Sequence, residues 1–243
     1  MSEIKHLPYE IDPKKDRNHY YETLWKEVAL DLLQKHEPDV SGLTLLDYGC
    51  GRGETMDLAA QRGMKCVGTD LDPHCVELAQ KFGEATVLEV EDPVGQFGEN
   101  SFDVVVCFHV LEHVPRPLET LIQLRKIARK YVIVAVPNLS RSRDFIRRRN
   151  WDIPVNEGHL QSWDHSHWRN MAENHAGLEV VEWGFDATVV LPISNIILKI
   201  FGQRAAIKLE TGLFRRLWPY GSISVISLMR ERQDASSDSE VPS

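Results

Sequence analysis

A glycine-rich stretch at residues 45–54 constrains this chain more than any other feature. It reads Leu-Leu-Asp-Tyr-Gly-Cys-Gly-Arg-Gly-Glu, so a short apolar run is followed by three glycines at alternate positions. This pattern is typical of a strand that enters a tight turn, because glycine adopts backbone conformations that other residues disfavour. Glycines also let a ligand approach the backbone closely. The stretch therefore predicts a binding turn for a nucleoside-type ligand.

The charges around this turn indicate which nucleoside it suits. A dinucleotide fingerprint needs a third glycine where this chain has Glu54, and a carboxylate there would repel a pyrophosphate. Asp47, just before the turn, is equally unfavourable for a diphosphate. It suits a ligand that carries an amino group and a positively charged sulfur. S-adenosylmethionine is such a ligand.

A second acid lies at the end of the next strand-like run. Residues 65–70 read Lys-Cys-Val-Gly-Thr-Asp, and Asp70 is about twenty residues beyond the turn, where a carboxylate can accept both ribose hydroxyls. Two acids are therefore expected to flank one glycine turn.

Apolar runs alternate with helical patterns along the chain. Helical spacing predicts an amphipathic helix over 21–35. Strand-like runs follow at 43–48, 65–70, 85–90, 102–107, 131–136 and 178–185. This alternation indicates a parallel sheet with helices on both faces, whose ligands lie beyond the carboxyl ends of the strands. Asp164 is a predicted helix N-cap, and Gly177 is a predicted helix stop.

From residue 45 to about 185 the chain resembles the class I S-adenosylmethionine-dependent methyltransferases. The glycine turn, Asp70 and the run from Ser101 to Val114 are similar to that family's first, second and fourth strand ends. The resemblance implies an α/β three-layer sandwich: a Rossmann-like, seven-stranded, mostly parallel sheet whose last strand, over 221–229, is antiparallel. It also implies S-adenosyl-L-methionine as the cofactor.

The resemblance further implies which residues contact that cofactor. The glycine turn contacts the methionine part, Asp70 holds the ribose, and either Glu91 or Asp92 reads the adenine amino group. The implied cofactor-binding residues are Asp47, Gly49, Cys50, Gly51, Asp70, Leu71, Glu91, Asp92, Phe108 and His109.

Histidines near the end of the fourth strand are candidates for the chemistry. Methyl transfer needs an aligned acceptor, and a base that removes a proton from a hydroxyl acceptor accelerates it. His109, Glu112 and His113 are expected to open the helix after the fourth strand, and a loop carrying His159 is expected to close over the same pocket. We predict catalytic roles for His113 and His159.

The same residues are possible metal ligands. Glu112-His113 with a later His159 is similar to metal-assisted 2′-O-methyltransferases that modify small-RNA ends, and to the O-methyltransferases of ubiquinone biosynthesis. The RNA enzymes usually have an acid at the position of His109. We therefore expect that no metal is bound. A metal-assisted reaction at these residues remains an alternative.

Composition and charge limit the class of partner. The chain has 243 residues, 42% of them hydrophobic, and a net charge of −8 that argues against a general nucleic-acid binder. Basic residues crowd 125–149, which indicates an anionic substrate or a solvated helix face. No apolar stretch approaches the length of a secretory signal or membrane span, so the chain is expected in the cytoplasm. The four cysteines are expected to be free thiols.

We expect one methyltransferase domain over 21–230, preceded by an arm over 1–20 and followed by a disordered tail over 231–243. Residues 187–220 form an apolar insertion that suits a lid, an oligomerisation surface, a contact with a greasy substrate or membrane, or an extra helix pair. The predicted reaction is methyl transfer to oxygen or nitrogen of a small molecule that is anionic or hydrophobic. The alternatives are an RNA-end methyltransferase, with RNA as partner, and a cofactor-binding interaction partner without turnover.

Overall fold

The computed structural model describes residues 17–89, 92–140 and 157–233. Glu91, the arginine-rich segment over 141–151, most of the predicted arm and most of the predicted tail lie outside the described residues.

Seven strands form one sheet in the order β3-β2-β1-β4-β5-β7-β6. The strands are β1 (Thr44–Tyr48), β2 (Lys65–Asp70), β3 (Glu84–Val87), β4 (Phe102–Phe108), β5 (Ala128–Pro137), β6 (Leu178–Gly184) and β7 (Ser224–Glu231). Neighbours from β3 to β5 are parallel, and β7 is antiparallel to both of its neighbours. The predicted fold class is confirmed.

Helices cover both faces of this sheet. They are α1 (Arg17–His36), α2 (Glu54–Ala60), α3 (Pro73–Ala79), α4 (Pro93–Phe97), α5 (Pro117–Ile127), α6 (His165–Asn170), α7 (Ile193–Leu209) and α8 (Arg215–Leu217). Short π-helical turns extend α6 over Met171–His175 and join α7 to α8 over Glu210–Phe214.

The central strand β4 shows how the two layers share one sheet. Val104 and Val106 pack in the cluster that contains α1 and α2, whereas Val105 and Cys107 pack in the cluster that contains α5 and α6. Successive side chains of a strand point to opposite faces, so a strand covered on both faces reads as a continuous apolar run. This is why residues 102–108 show no polar alternation.

Two local predictions are confirmed. The Asp164 carboxylate accepts the backbone N–H of His167 and caps α6. Gly177 ends that helical segment with φ of +70°, a conformation that favours glycine.

Other boundaries differ from the predictions. Residues 109–113 do not open a helix, because α5 begins only at Pro117; His109 to His113 form a turn. Proline disfavours helical geometry in the residue before it, and Pro115 and Pro117 therefore delay the helix. The third strand ends at Val87 rather than at 90, and the last begins at Ser224 rather than at 221.

The segment 187–220 forms α7, α8 and the turns around them. On its inner side Ala187, Val189 and Ile207 pack against Tyr21 of α1. The Tyr21 hydroxyl donates a hydrogen bond to the buried carboxylate of Glu210. Among the described helices, none combines the length and apolar character needed to cross a membrane.

Candidate active site

The glycine turn connects β1 to α2 and is hydrogen-bonded to the carboxyl end of β2. The backbone N–H groups of Gly49 and Cys50 both donate to the Thr69 carbonyl, at 2.8 and 2.9 Å. The Asp70 carboxylate accepts the N–H of Gly51 at 2.9 Å through one oxygen and that of Asp72 at 3.0 Å through the other. The two acids predicted from the sequence therefore flank one turn.

The glycines of this turn serve different purposes. Gly51 has φ of +52°, and a side-chain carbon added there would meet nothing within 4 Å. The same addition at Gly49, where φ is +83°, would approach Val110 Cγ2 to 2.2 Å. The backbone at Gly51 therefore borders open space, whereas Gly49 lies closely against Val110.

Asp47 lies beneath the turn as a buried acid. The residue is 1% exposed, and neither carboxylate oxygen has a partner with full hydrogen-bond geometry among the described residues, although the Thr55 hydroxyl is near enough to lower its pKa. Burial raises its pKa to about 7, and the nearby Lys26 ammonium opposes this rise. A buried carboxylate without a partner is costly, and a cationic group placed near it would recover part of that cost.

The other residues implied by the resemblance lie around the same edge. Leu71 follows Asp70 with its side chain 61% exposed, whereas Cys50 is buried. Asp92 caps α4 by accepting the N–H of Gly95 at 2.8 Å. Phe108 is buried, with its ring 5.2 Å from that of Trp25 in an edge-on contact, so its side chain belongs to the core beneath the edge.

His109 is held in an uncommon conformation. Its φ is +54°, in the left-handed region that few residues other than glycine adopt. Its Nδ1 lies 3.1 Å from Glu112 Oε1, its Nε2 lies 3.5 Å from Ser224 Oγ, and its ring centroid lies 4.7 Å from that of Trp25. His109 therefore connects the end of β4 to α1 and to the start of β7.

The loop over 157–161 brings His159 to His113, with ring centroids 4.9 Å apart. The Glu112 carbonyl accepts the N–H of Leu160 at 2.7 Å, which ties this loop to the turn after β4. His113 Nδ1 lies 2.8 Å from the Gly158 carbonyl oxygen. Because a carbonyl only accepts, Nδ1 carries the proton, and in a neutral ring Nε2 has a free lone pair.

Glu112 completes a cluster with these two histidines. It is fully buried, and its Oε2 has no hydrogen-bond partner among the described residues. One ligand atom from each of Glu112, His113 and His159 lies within 4.8 Å of the others. Two ligands bound to one ion at about 2.2 Å are at most about 4.4 Å apart, so this spacing is compatible with a shared divalent cation.

A pocket of about 380 Å³ opens on the same edge of the sheet, between the start of α6 and the end of β6. It is lined by Ser140, Asp164, His165, Ser166, Arg169, Trp183 and Tyr220. The Arg169 guanidinium lies 5.3 Å from the Trp183 ring centroid. The sequence did not indicate this pocket, because its walls come from four separate segments.

His165 forms the inner wall of this pocket. Its ring lies 4.9 Å from those of Trp183 and Tyr220 and 5.8 Å from that of Phe185. Burial lowers its pKa to about 4, so the ring is neutral near pH 7, and its Nε2 has no hydrogen-bond partner among the described residues. The aromatic walls suit a flat ligand, and Arg169 at the rim offers a cation to an anionic substituent, while the Asp164 carboxylate that also lines the pocket is paired with His167.

Comparison with known proteins identifies the family. A family model described as a methyltransferase domain matches residues 17–183, well over half of the chain. The match includes the glycine turn, Asp70 and the cluster at 109–113.

A curated relative is a ubiquinone biosynthesis O-methyltransferase of Actinobacillus pleuropneumoniae serotype 5b (strain L20). It is 31% identical over 108 residues, which make up 40% of this chain and 46% of the relative. The chain thus spans less than half the length of this relative.

Solved structures share the fold at low sequence identity. The magnesium protoporphyrin IX methyltransferase of Synechocystis PCC 6803, solved with bound SAH, has a TM-score of 0.59 and 16% identity, over 89% of this chain and 85% of that one. The 1,6-didemethyltoxoflavin-N1-methyltransferase of Burkholderia thailandensis has a TM-score of 0.56 and 17% identity, over 89% and 82%. With the family match and the sheet order, these findings establish that the chain belongs to the class I S-adenosylmethionine-dependent methyltransferases.

Proposed function

We propose that this protein transfers the methyl group of S-adenosylmethionine to an oxygen or nitrogen atom of a small anionic acceptor. The observation that carries this proposal is the buried carboxylate of Asp47, which lacks a well-formed hydrogen bond among the described residues and lies beneath a glycine turn whose Gly51 borders open space. A cationic ligand at this turn would offset the cost of that carboxylate.

The residues around the turn fit the parts of this cofactor. Asp47 would attract the amino group and the sulfonium, Asp70 would face the ribose, and the exposed side chain of Leu71 would cover one face of the adenine. Asp92, or Glu91 outside the described residues, would read the adenine amino group. The bound cofactor supplies an activated methyl group; the protein must align the acceptor and exclude water.

His113 is the proposed base. The Gly158 carbonyl fixes its Nδ1 proton, which leaves Nε2 able to accept a proton from an acceptor hydroxyl. His159 packs edge-on against the ring and limits its rotation. The pair would therefore hold a proton acceptor in one orientation beside the end of β4.

The acceptor is proposed to bind in the pocket lined by His165, Trp183 and Tyr220. A volume of about 380 Å³ is within the range of small-molecule sites. The exposed guanidinium of Arg169 at its rim favours a carboxylate or phosphate substituent, whereas the flat aromatic walls favour a planar body. The pocket is what favours a small molecule over an RNA end.

Transfer of a labelled methyl group tests this proposal. Purified protein is incubated with methyl-labelled cofactor and fractionated small-molecule or RNA extracts, with Asp47→Asn as the control. Label in an anionic small-molecule fraction is expected. Label in RNA supports the RNA-end alternative, and cofactor binding with no labelled product in any fraction supports an interaction partner without turnover.

A metal-assisted reaction is the second candidate, and the cluster of Glu112, His113 and His159 favours it. The unpartnered Glu112 Oε2 and the free Nε2 of His113 fit a divalent cation, which would polarise the acceptor oxygen. Metal analysis of the purified protein and turnover after chelation distinguish the two candidates. Full turnover after chelation would exclude the metal-assisted reaction.

A further inference from the structure

The helices over 193–217 expose an unusual amount of apolar surface. Of the twelve large hydrophobic side chains that are exposed in the described residues, eight lie within 193–220. We call this surface the insertion face; it consists of Ile193, Ile196, Ile200, Phe201, Leu213, Leu217 and Trp218. Single exposed apolar residues need no explanation, but clustered ones mark interaction sites.

The spacing of these residues shows that they share helix stripes. Ile193, Ile196 and Ile200 follow one another at intervals of three and four on α7, and the last is 66% exposed. Leu213, in the π-helical turn, and Leu217, at the end of α8, repeat the interval of four. Meanwhile Ile207 and Phe214 are buried, so the inner side of the segment has its own packing. The insertion face is therefore an apolar surface on the outer side of the segment, and it takes no part in the packing of the core.

The exposed charges within residues 187–220 are all of one sign. Residues 187–220 contain five basic residues and one acidic residue, Glu210, which is fully buried. Lys199, Arg204, Lys208 and Arg216 are exposed, and within the described ranges none of these four forms an ion pair. The remainder of the chain is acidic, since the net charge is −8. The segment that exposes the apolar surface is therefore itself positively charged, in a chain that is acidic as a whole.

We propose that the insertion face is a docking surface for an anionic lipid bilayer. Exposed isoleucine, leucine, phenylalanine and tryptophan next to lysine and arginine are what an interfacial helix uses, because apolar groups enter the acyl boundary while the cations meet lipid phosphates. Long basic side chains can bury their stems and keep their charges at the headgroups. α7 is kinked at Gly202, and packing of Ile207 against Tyr21 of α1 anchors the part of the helix after the kink.

Charge favours a bilayer over a second copy of the chain. An isologous dimer through this face would bring the same cations of both copies together, which costs free energy without a compensating acid. An anionic bilayer instead attracts each of them by a favourable interaction that salt screens. The occupant that fits both the apolar side chains and the cations is therefore the lipid surface.

Vesicle flotation with the full chain tests this inference. Phosphatidylcholine vesicles are compared with vesicles in which a third of the lipid is phosphatidylglycerol. Wild type is expected to bind the anionic vesicles at least about tenfold more tightly, and high salt is expected to release it. Ile196→Ser/Ile200→Ser and Lys199→Glu/Lys208→Glu should each weaken binding by about tenfold or more.

The matched control reverses the same number of charges elsewhere. Lys65→Glu/Lys81→Glu involves exposed lysines outside the insertion and should leave vesicle binding within about twofold of wild type. Cofactor affinity and the melting temperature show that each variant is folded. Absence of wild-type binding to anionic vesicles overturns the inference. So does a stable dimer that Ile196→Ser/Ile200→Ser dissociates while vesicle binding is unaffected. Cofactor binding is measured separately, so neither outcome bears on the proposed methyl transfer.

Discussion

The imidazole rings of His113 and His159 make an edge-to-face contact with centroids 4.9 Å apart, although they belong to two different loops. The contact depends on the Glu112 carbonyl, which accepts the N–H of Leu160, and on the Gly158 carbonyl, which lies 2.8 Å from His113 Nδ1. Backbone groups of the loop over 157–161 therefore hold this loop against the turn after β4. This contact places His159 beside His113.

Replacing His113 should affect turnover more than binding. His113→Gln removes the proposed base and should lower kcat by about 10²- to 10⁴-fold, while the Kd of the cofactor stays near its wild-type value. His159→Gln, which releases the ring of His113, should lower kcat less. The matched control is His36→Gln. His36 is an exposed histidine at the end of α1, where it contacts Glu182 of β6. An unchanged kcat in His113→Gln would show that His113 is not the base.

Neutralising Asp47 should stabilise the free protein. Its folded-state pKa of about 7 lies above the usual value of 3.8, so the group's contribution to stability is full below about pH 4, declines as pH rises towards 7 and is lost above that. Asp47→Asn should accordingly raise the free energy of unfolding at pH 8 by on the order of 2 kcal/mol.

Thermal unfolding at pH 4 and pH 8 measures this effect, which should be smaller at the lower pH. Glu119→Gln removes an exposed carboxylate and should change the melting temperature little at either pH. A variant that is less stable than wild type at pH 8 would show that Asp47 has a favourable partner in the free protein.

The two glycines of the turn should respond differently to alanine. Gly49→Ala places a carbon 2.2 Å from Val110 Cγ2 and should cost about 2 to 4 kcal/mol of stability. Gly51→Ala meets no atom within 4 Å, so only its backbone strain, about 1 kcal/mol, should appear in the melting temperature. Its larger effect should be on cofactor affinity. Equal loss of stability in the two variants would contradict this division.

The aromatic pocket predicts a change in acceptor KM. Once labelling has identified the acceptor, Arg169→Gln should raise its KM by about tenfold or more and leave the cofactor Kd unchanged, because the guanidinium lies at the pocket rim and not at the turn. Arg116→Gln, an exposed arginine paired with Glu119, is the control. A KM that Arg169→Gln leaves unaltered would place the acceptor elsewhere.

Local patterns predicted the parts of this molecule that depend on neighbouring residues. The glycine turn, Asp70, the Asp164 cap and the apolar strands all follow from short stretches of sequence, and the structure contains each of them. The expected helix at 109–113 was wrong because two prolines delay α5 to Pro117.

Features built from distant segments were not predictable in this way. The pocket needs Ser140 after β5, His165 on α6, Trp183 on β6 and Tyr220 before β7, and these meet only because β7 lies between β5 and β6. Likewise Trp25 and Lys26 of α1 reach the site through helix docking: Trp25 packs on His109, and Lys26 affects the pKa of Asp47.

Calorimetric titration of the wild-type protein with S-adenosylmethionine between pH 5.5 and 7 tests the central claim most directly. In this range the ligand amine stays protonated while Asp47, with a pKa of about 7, gains its charge. We expect one site whose affinity is about tenfold weaker at pH 5.5 than at pH 7, and an Asp47→Asn variant that binds weakly at both. Absence of binding by wild type, or an affinity that neither pH nor Asp47→Asn alters, would contradict the account.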